Sequence, residues 1–350
     1  MLKIVYNSVD SEATGCQRVL NPLRLLQDRG LIETQVINRS DARKQTAWAD
    51  ILFLQCLVGP QNFELVKLYQ KEGVPVIIDY DDNFANLPPS ILNRMGLSSE
   101  DARGNWIKYL SMADAISCPS AYLAKCIRQY SGARNVHLLP NYLTEEEYAG
   151  AKDFSPWKMG DEEVRILYSC SDTHKKDLEW IGSLLTYLGE AYPQVRVITQ
   201  GSLDFKYLFP QYKGKASHAL YAPYKSYHES LREIAPHICL GPLLNSEYAY
   251  SRSDIKYLQT ASIKAVFVGS NAPPYQETVI PGFTGLLPSD YKLAWWWNLR
   301  KLICNPEITK KMGEAAYTHA GQFLLKDHVE KWFSMFQDVL DSREMASTGS

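Results

Sequence analysis

No stretch of this chain approaches the ~20 consecutive apolar residues that a membrane-spanning helix needs, and its start lacks a basic segment followed by an apolar one. Stable membrane insertion is therefore not expected. A CxxC pair is also missing. Seven cysteines, at 16, 56, 118, 126, 170, 239 and 304, leave one without a mate, and several sit in apolar runs such as Ala115-Ile-Ser-Cys118. They read as buried free thiols of a reducing compartment, which points to a cytoplasmic protein. Charge of one sign is scarce as well: 37 Lys and Arg face 39 Asp and Glu, for a net charge of −2. That balance excludes a global attraction to nucleic acid or an anionic membrane, though not a local basic patch. There is no internal repeat, no low-complexity tract and no GxGxxG. His137, His218, His237 and His319 have no acid or nucleophile at a catalytic spacing and read as structural.

What is present is an ordinary globular composition, 45% hydrophobic and 22% charged, spread over 350 residues. One hydrophobic core rarely serves so long a chain, so two domains are expected. Short β-rich runs alternate with helical periods, the pattern of βαβ units in a parallel sheet. In the first half, strands are expected at Leu2–Tyr6, Thr34–Ile37, Ile51–Leu54, Val76–Asp79, Ala115–Cys118 and Val136–Leu138. A helix at Gln17–Arg29 carries Val19, Leu23 and Leu26 on one face. The pattern restarts with strands at Val164–Tyr168, Val195–Thr199, Ile238–Leu240 and Ala265–Val268, and helices near 175–190, 226–234 and 254–262. Helices at 291–304, 306–323 and 327–341 follow.

The expected division is an N-terminal domain over 1–145, a polar linker with Pro and Gly over 146–162, and a second domain over 163–325. A C-terminal helix at 326–341 packs back on the first domain, and 342–350 form a flexible tail. In such doubly wound α/β domains, ligands bind outside the carboxyl ends of the strands.

Chemistry gathers at five places. Ser11 to Arg18 follows the first strand; Gly15 there lets the backbone approach a ligand at a helix N-terminus, or simply makes a strand-to-helix turn. Asp79, Asp81 and Asp82 crowd the end of a buried strand, a costly arrangement unless they bind a cation, accept from sugar hydroxyls, stabilise positive charge or cap a turn. No histidine joins them, and no metal is assigned. Ser171, His174, Lys175 and Lys176 open a helix, where cations oppose the helix dipole unless an anion such as a diphosphate sits there. Arg252, Ser253, Asp254 and Lys256 form a second cap and helix start, with Ser253 or Asp254 as N-cap. Glu277, after a Pro-rich turn, caps a helix or meets a sugar hydroxyl. Trp295-Trp-Trp297 points in three directions from one helix, which suits packing better than stacking on a ligand.

The ordered set Gly15 loop, Val76-Ile-Ile-Asp-Tyr-Asp-Asp-Asn-Phe, Ala113-Asp-Ala-Ile-Ser-Cys-Pro-Ser, Leu139-Pro-Asn-Tyr, Thr173-His-Lys-Lys-Asp-Leu, Ser253-Asp-Ile-Lys-Tyr-Leu and Pro274-Tyr-Gln-Glu-Thr resembles GT-B glycosyltransferases of the retaining glycosyltransferase family 4 type. The resemblance runs from about 1 to 325 and lies in order and spacing rather than in any single string. It implies a GT-B fold: two Rossmann-like doubly wound parallel-sheet domains with an interdomain cleft. It implies transfer from a nucleoside-diphosphate sugar, a UDP- or GDP-sugar foremost, with no bound cofactor and no metal. Lys176 matches the lysine of the diphosphate-gripping pair, while Ser171 stands where the arginine would be, a role left to Arg252 or Lys256. Ser251 and Gln259 stand at the positions of the two glutamates that hold the transferred sugar and the ribose. Asp81 falls where many relatives place a histidine near the reacting centre, and with Asp82 it is the candidate catalytic group. The acceptor stays open among a glycan, a lipid-linked sugar and a hydroxylated DNA base. A non-catalytic nucleotide-sugar or glycan binder and a non-hydrolysing epimerase are the rival readings.

Overall fold

The computed structural model describes residues 1–158 and 162–348, with side chains to residue 345. The chain divides into two compact units. The first comprises Met1–Tyr142, Ser251–Ser253 and the chain from Leu325 onward; the second comprises Leu143–Tyr250 and Asp254–Leu324.

The first unit holds β1 (Leu2–Tyr6), β2 (Ile32–Val36), β3 (Ile51–Gln55), β4 (Val76–Asp79), β5 (Ala115–Cys118) and β6 (Val136–Leu138). They form one all-parallel sheet in the order β2-β1-β3-β4-β5-β6. Every residue of β3, β4 and β5 is buried, as befits parallel strands covered on both faces. The connecting helices include α1 (Asn21–Asp28), α2 (Phe63–Lys71), α3 (Ser99–Met112) and α4 (Ala121–Ser131). Side-chain caps start the last two: Ser98 Oγ accepts from Asp101 N, and Ser120 Oγ from Leu123 N. The helix expected from Gln17 begins instead as a wide π-type turn, Cys16–Leu20, that runs into α1.

The second unit holds β7 (Val164–Cys170), β8 (Val195–Gly201), β9 (Lys215–Ala219), β10 (Ile238–Gly241), β11 (Val266–Gly269) and β12 (Gly285–Leu286). These too are all parallel, in the order β12-β11-β10-β7-β8-β9. Its helices include α5 (Lys175–Ala191), α6 (Tyr224–Ile234), α7 (Ile255–Ala261), α8 (Lys292–Ile303) and α9 (Pro306–Ala320). Leu178, Ile181, Leu185 and Leu188 recur at helical spacing along α5 and are buried in one core with Val164, Ile166 and Tyr168 of β7 and Trp295, Leu299 and Leu302 of α8. Both units are thus Rossmann-like doubly wound sheets.

A last helix, α10 (Glu330–Thr348), belongs to the first unit. Its Phe336 ring meets Phe53 of β3 edge-on at 5.6 Å, and Arg343 pairs with Asp114 at 3.4 Å. Pro22 has no N–H to offer the Arg18 carbonyl four residues back, and that carbonyl accepts from Trp332 Nε1 of α10 at 3.3 Å.

Several expectations shift. Strand β2 starts at Ile32 rather than Thr34, and β11 runs over Val266–Gly269. Strands β9 and β12 have no counterpart among the expected strands: Lys215-Ala-Ser-His-Ala lacks apolar alternation because an edge strand needs little, and β12 is two residues long. Helix α9 stops at Ala320, and α10 continues to Thr348 where a tail was expected from 342; residues 349–350 of that tail lie outside the described residues. The expected linker contains a capped turn of helix, Glu145–Ala149, and its residues 159–161 also lie outside the described residues. Cys304 is exposed and Cys56 half-buried, so burial holds for only five of the seven free thiols: both sit where elements end, beyond the packed faces.

Candidate functional site

In the second unit the strand order reverses between β7 and β10, the point where doubly wound sheets bind ligands. Five expected residues gather there. The chain leaves β7 at Cys170, and Ser171, exposed, shares a hydrogen bond with Thr173 at 2.9 Å. His174 then ends a 3₁₀ turn, buried, with Nδ1 at 3.0 Å from Asp177 Oδ2. The other carboxylate oxygen of Asp177 accepts from Leu244 N, just beyond β10, at 3.0 Å. Asp177 therefore ties the start of α5 to the β10 loop and fixes the imidazole. Lys176 lies exposed in the first turn of α5, where its charge adds to the positive end of a 17-residue helix.

Lys256, in the first turn of α7, donates to Ser169 O of β7 at 3.0 Å and lies over the Tyr168 ring at 5.0 Å. Its ammonium is thereby held at the carboxyl edge of β7. Beside it a narrow cavity is lined by Ser169, Tyr227, Cys239, Lys256, Gln259 and Thr260. Tyr227 Oη donates to Ser169 Oγ at 3.0 Å, and Ser169 Oγ donates to Gln200 Oε1 at 2.8 Å, so the cavity wall is a fixed polar chain. Asp254 is the residue preceding α7, but its side chain does not cap the helix; it accepts from Thr278 Oγ1 instead. Burial pushes the Asp254 carboxyl up to about 6. Glu277, exposed, is the C-cap residue of the short helix Pro273–Gln276, and its charge acts on Asp254.

The remaining expected residues lie in the first unit. Gly15 is buried, and a Cβ there would stand 2.0 Å from Asp10 O and 2.3 Å from Ser8 Oγ. The loop itself thus leaves no room for a side chain there, and its Asp10 Oδ1 accepts from Gly15 N at 2.9 Å. Gln55, ending β3, pins the same loop by accepting from Val9 N at 3.0 Å and donating to Thr14 O at 3.1 Å.

The three aspartates part company. Asp79 is fully buried and receives Arg18 through two nitrogens, at 3.2 and 2.7 Å, and Ser117 Oγ at 2.6 Å. Arg18 also donates to Leu139 O and to Asn141 Oδ1, the latter at 3.0 Å. Burial alone would lower the guanidinium pKa, but the Asp79 charge reverses this and the net shift is upward. Asp79 is a structural anchor. Asp81 and Asp82 are half-buried past the strand end. Cys56 stands at φ +52°, a left-handed conformation uncommon outside glycine, with its thiol donating to Asp81 Oδ1 at 3.0 Å. Burial, then repulsion from Asp82, pushes the Asp81 carboxyl up to about 6.

Arg252 and Ser253 belong to the first unit, whereas Lys176 and Lys256 belong to the second. Ser253 Oγ accepts from Asn141 Nδ2 at 2.9 Å. The neighbouring Ser251 is buried, its carbonyl taken by Ser120 Oγ at 3.0 Å. Among the described residues, no group of three or more His, Cys, Asp or Glu could hold a metal ion, and no helix is long and apolar enough to cross a membrane.

Arg18, Asp177, Asn141 and Cys56 were not foreseen as parts of these sites. Asp177 was findable, since i+3 from His174 puts both on one helical face. The partners of Arg18 are 61 and 123 positions away, and the backbone twist at Cys56 has no sequence signal.

No protein-family model matches the sequence, and no curated protein does. Solved structures do match in fold. Sucrose-phosphate synthase from Thermosynechococcus elongatus is 13% identical with a TM-score of 0.70, over 98% of this chain and 100% of that one. A glycosyltransferase from Rickettsia africae is 12% identical with a TM-score of 0.68, over 97% and 98% of the two chains. Anabaena HepE, in complex with UDP and glucose, is 12% identical with a TM-score of 0.66, over 97% and 100%.

Proposed function

The chain has the GT-B type of fold, and on that premise we propose that it is a glycosyltransferase moving a sugar from a nucleoside-diphosphate sugar to an acceptor hydroxyl, with retention of configuration. The observation that carries this reading is the cationic helix start at the switch point of the second sheet. Lys175 and Lys176 open α5, and the Asp177–His174 pair and Lys256 hold the surrounding backbone in place. Lys175 pairs with Glu179 at 3.9 Å, which leaves Lys176, at the positive end of the helix, as the cation offered to a diphosphate. Gln259, on the cavity wall, is the candidate ribose contact, and Glu277 a more distant sugar contact. As the diphosphate departs, Lys176 and the first N–H groups of α5 stabilise its growing charge. Asp81 and Asp82 serve the reacting side, with Gly15 shaping the adjacent loop. HepE binds UDP and glucose, which makes a UDP-sugar the first donor to test, ahead of a GDP-sugar.

The test is a thermal-shift panel of UDP-, GDP-, ADP- and dTDP-sugars on the wild type and on Lys176→Ala. One nucleotide should raise the melting temperature, and the substitution should weaken that ligand by roughly ten- to a hundredfold, since a charge-assisted contact is worth ~1.5–3 kcal/mol. No shift with any of the four, from folded protein, would sink the donor site. A second reading, a non-catalytic binder, rests on Ser251: the resemblance matches it to a sugar-holding glutamate, and here a short, buried serine has its carbonyl bound by Ser120. Donor shift with no donor hydrolysis and no transfer to glycan, lipid-linked sugar or hydroxymethylated DNA would select that reading.

A further inference from the structure

Strand β3 lies between β1 and β4, and the three residues at its carboxyl end hold the loops on both sides. Gln55 serves the β1 side. Its Oε1 accepts from Ser8 Oγ at 3.2 Å and from Val9 N at 3.0 Å, and its N–H donates to Asn7 Oδ1 at 2.9 Å. Cys56 and Leu57 serve the β4 side. Cys56 N donates to Asp79 O at 2.9 Å, Tyr80 Oη donates to Leu57 O at 2.8 Å, and the Cys56 thiol donates to Asp81 Oδ1 at 3.0 Å. The backbone N–H of Asp81 faces the same sulfur, so thiol and aspartate are joined twice.

The carboxylates at this strand end differ in what holds them. Asp79 is neutralised by Arg18 and bound by Ser117. For Asp81 the Cys56 thiol is the one hydrogen-bond donor to the carboxyl among the described residues, and the side chain is half-buried, within reach of a ligand. Burial, then the Asp81 charge, pushes the thiol well above its usual pKa, so it keeps the proton that it donates. The carboxyl is drawn two ways: burial, Asp82 and Asp79 push it up, and the thiol bond and Arg18 pull it down. An ionised carboxylate has two accepting oxygens, and the thiol takes one of them.

We propose that Cys56 is a positioning residue for Asp81: the thiol holds Oδ1 and leaves Oδ2 to accept from a substrate hydroxyl. This rests on the reading that Asp81 serves the reacting side of a sugar transfer. A thiol suits the task because it is a weak donor. It orients the carboxylate without cancelling the charge that a hydroxyl would meet, whereas Arg18 cancels that of Asp79.

Cys56→Ala and Cys56→Ser test it in the full chain. None of the three side chains is branched at Cβ, so all meet the left-handed backbone of residue 56 alike and differ in the donor. The first readout needs no substrate: the Asp81 carboxyl is titrated by carbon-detected NMR, its signal identified by its loss in Asp81→Asn. It should titrate higher in Cys56→Ala than in the wild type, because a bond to the charged form is gone, and return towards the wild-type value in Cys56→Ser. The second is nucleotide release from the nucleotide sugar that gives the thermal shift. Cys56→Ala should lower kcat by roughly tenfold with the donor KM unchanged, and Cys56→Ser should restore most of it. A titration that Cys56→Ala leaves in place, or a kcat lost equally in both variants, would overturn the proposal. If the wild type binds a donor but releases no nucleotide, the transferase reading falls instead, and the titration alone then decides whether Cys56 orients Asp81.

Discussion

Arg18 and Asp79 show how much of this protein rests on one contact. Both side chains are buried, and the guanidinium also serves Leu139 and Asn141. Removing one partner leaves a buried charge unpaired, which typically costs ~3–5 kcal/mol, whereas replacing both by apolar groups is far less harmful. Asp79→Asn is therefore expected to lower stability by about 3–5 kcal/mol in urea unfolding, and Arg18→Met combined with Asp79→Leu to recover much of that loss. If the double variant is as unstable as the single one, the pair's worth lies in the bonds to Leu139 and Asn141. The sequence displayed three aspartates in four residues and no means of telling the anchor from the two near the surface. Only the arrival of Arg18 does that.

At the scale of elements, two helical glycines with the same local propensity have opposite roles. Gly104 lies inside α3 with nothing within 4 Å of the place a Cβ would take, so Gly104→Ala should stabilise by about 0.5–1 kcal/mol through lower backbone entropy in the unfolded chain. Gly313, inside α9, would place a Cβ 2.1 Å from Lys264 O, a backbone atom that cannot swing away. Gly313→Ala should destabilise by ~1–3 kcal/mol despite the better helix propensity. Thermal unfolding of the two variants decides this, and a stabilised Gly313→Ala would mean that α9 shifts off the end of β11 at little cost.

Across the whole molecule, burial sets opposing pH dependences. Asp81 and Asp254 each have a carboxyl pushed up to about 6 in the folded state, so their stabilising contribution is fully present below the unfolded value near 4 and is lost as pH rises through 6. His228 runs the other way: burial, with Arg232 second, takes it down to about 3, so stability is lost as pH falls from about 6.5 towards 3. Between about pH 4 and 6, the stability of Asp81→Asn/Asp254→Asn relative to wild type should rise with pH, and that of His228→Gln should fall. Urea midpoints measured across that window check both signs. A flat difference for the aspartate variant would show that solvent reaches those carboxyls.

The repeated βαβ pattern determined the class of fold, because a doubly covered parallel sheet writes itself as apolar runs such as Ile51-Leu-Phe-Leu and Val76-Ile-Ile whatever surrounds it. The same local logic showed the cationic start of α5, since a lysine at the positive end of a helix is conspicuous without any partner. The sequence could not show β9, an edge strand with one neighbour and little to bury, nor which member of Trp295-Trp-Trp297 faces the core. It could not show that a side chain at Gly15 would collide with Asp10 and Ser8, or that a left-handed Cys56 turns its thiol onto Asp81. Periodicity is a property of neighbours along the chain. Those four outcomes depend on groups that only tertiary packing brings together, and there the competition for space, charge and hydrogen-bond partners is settled.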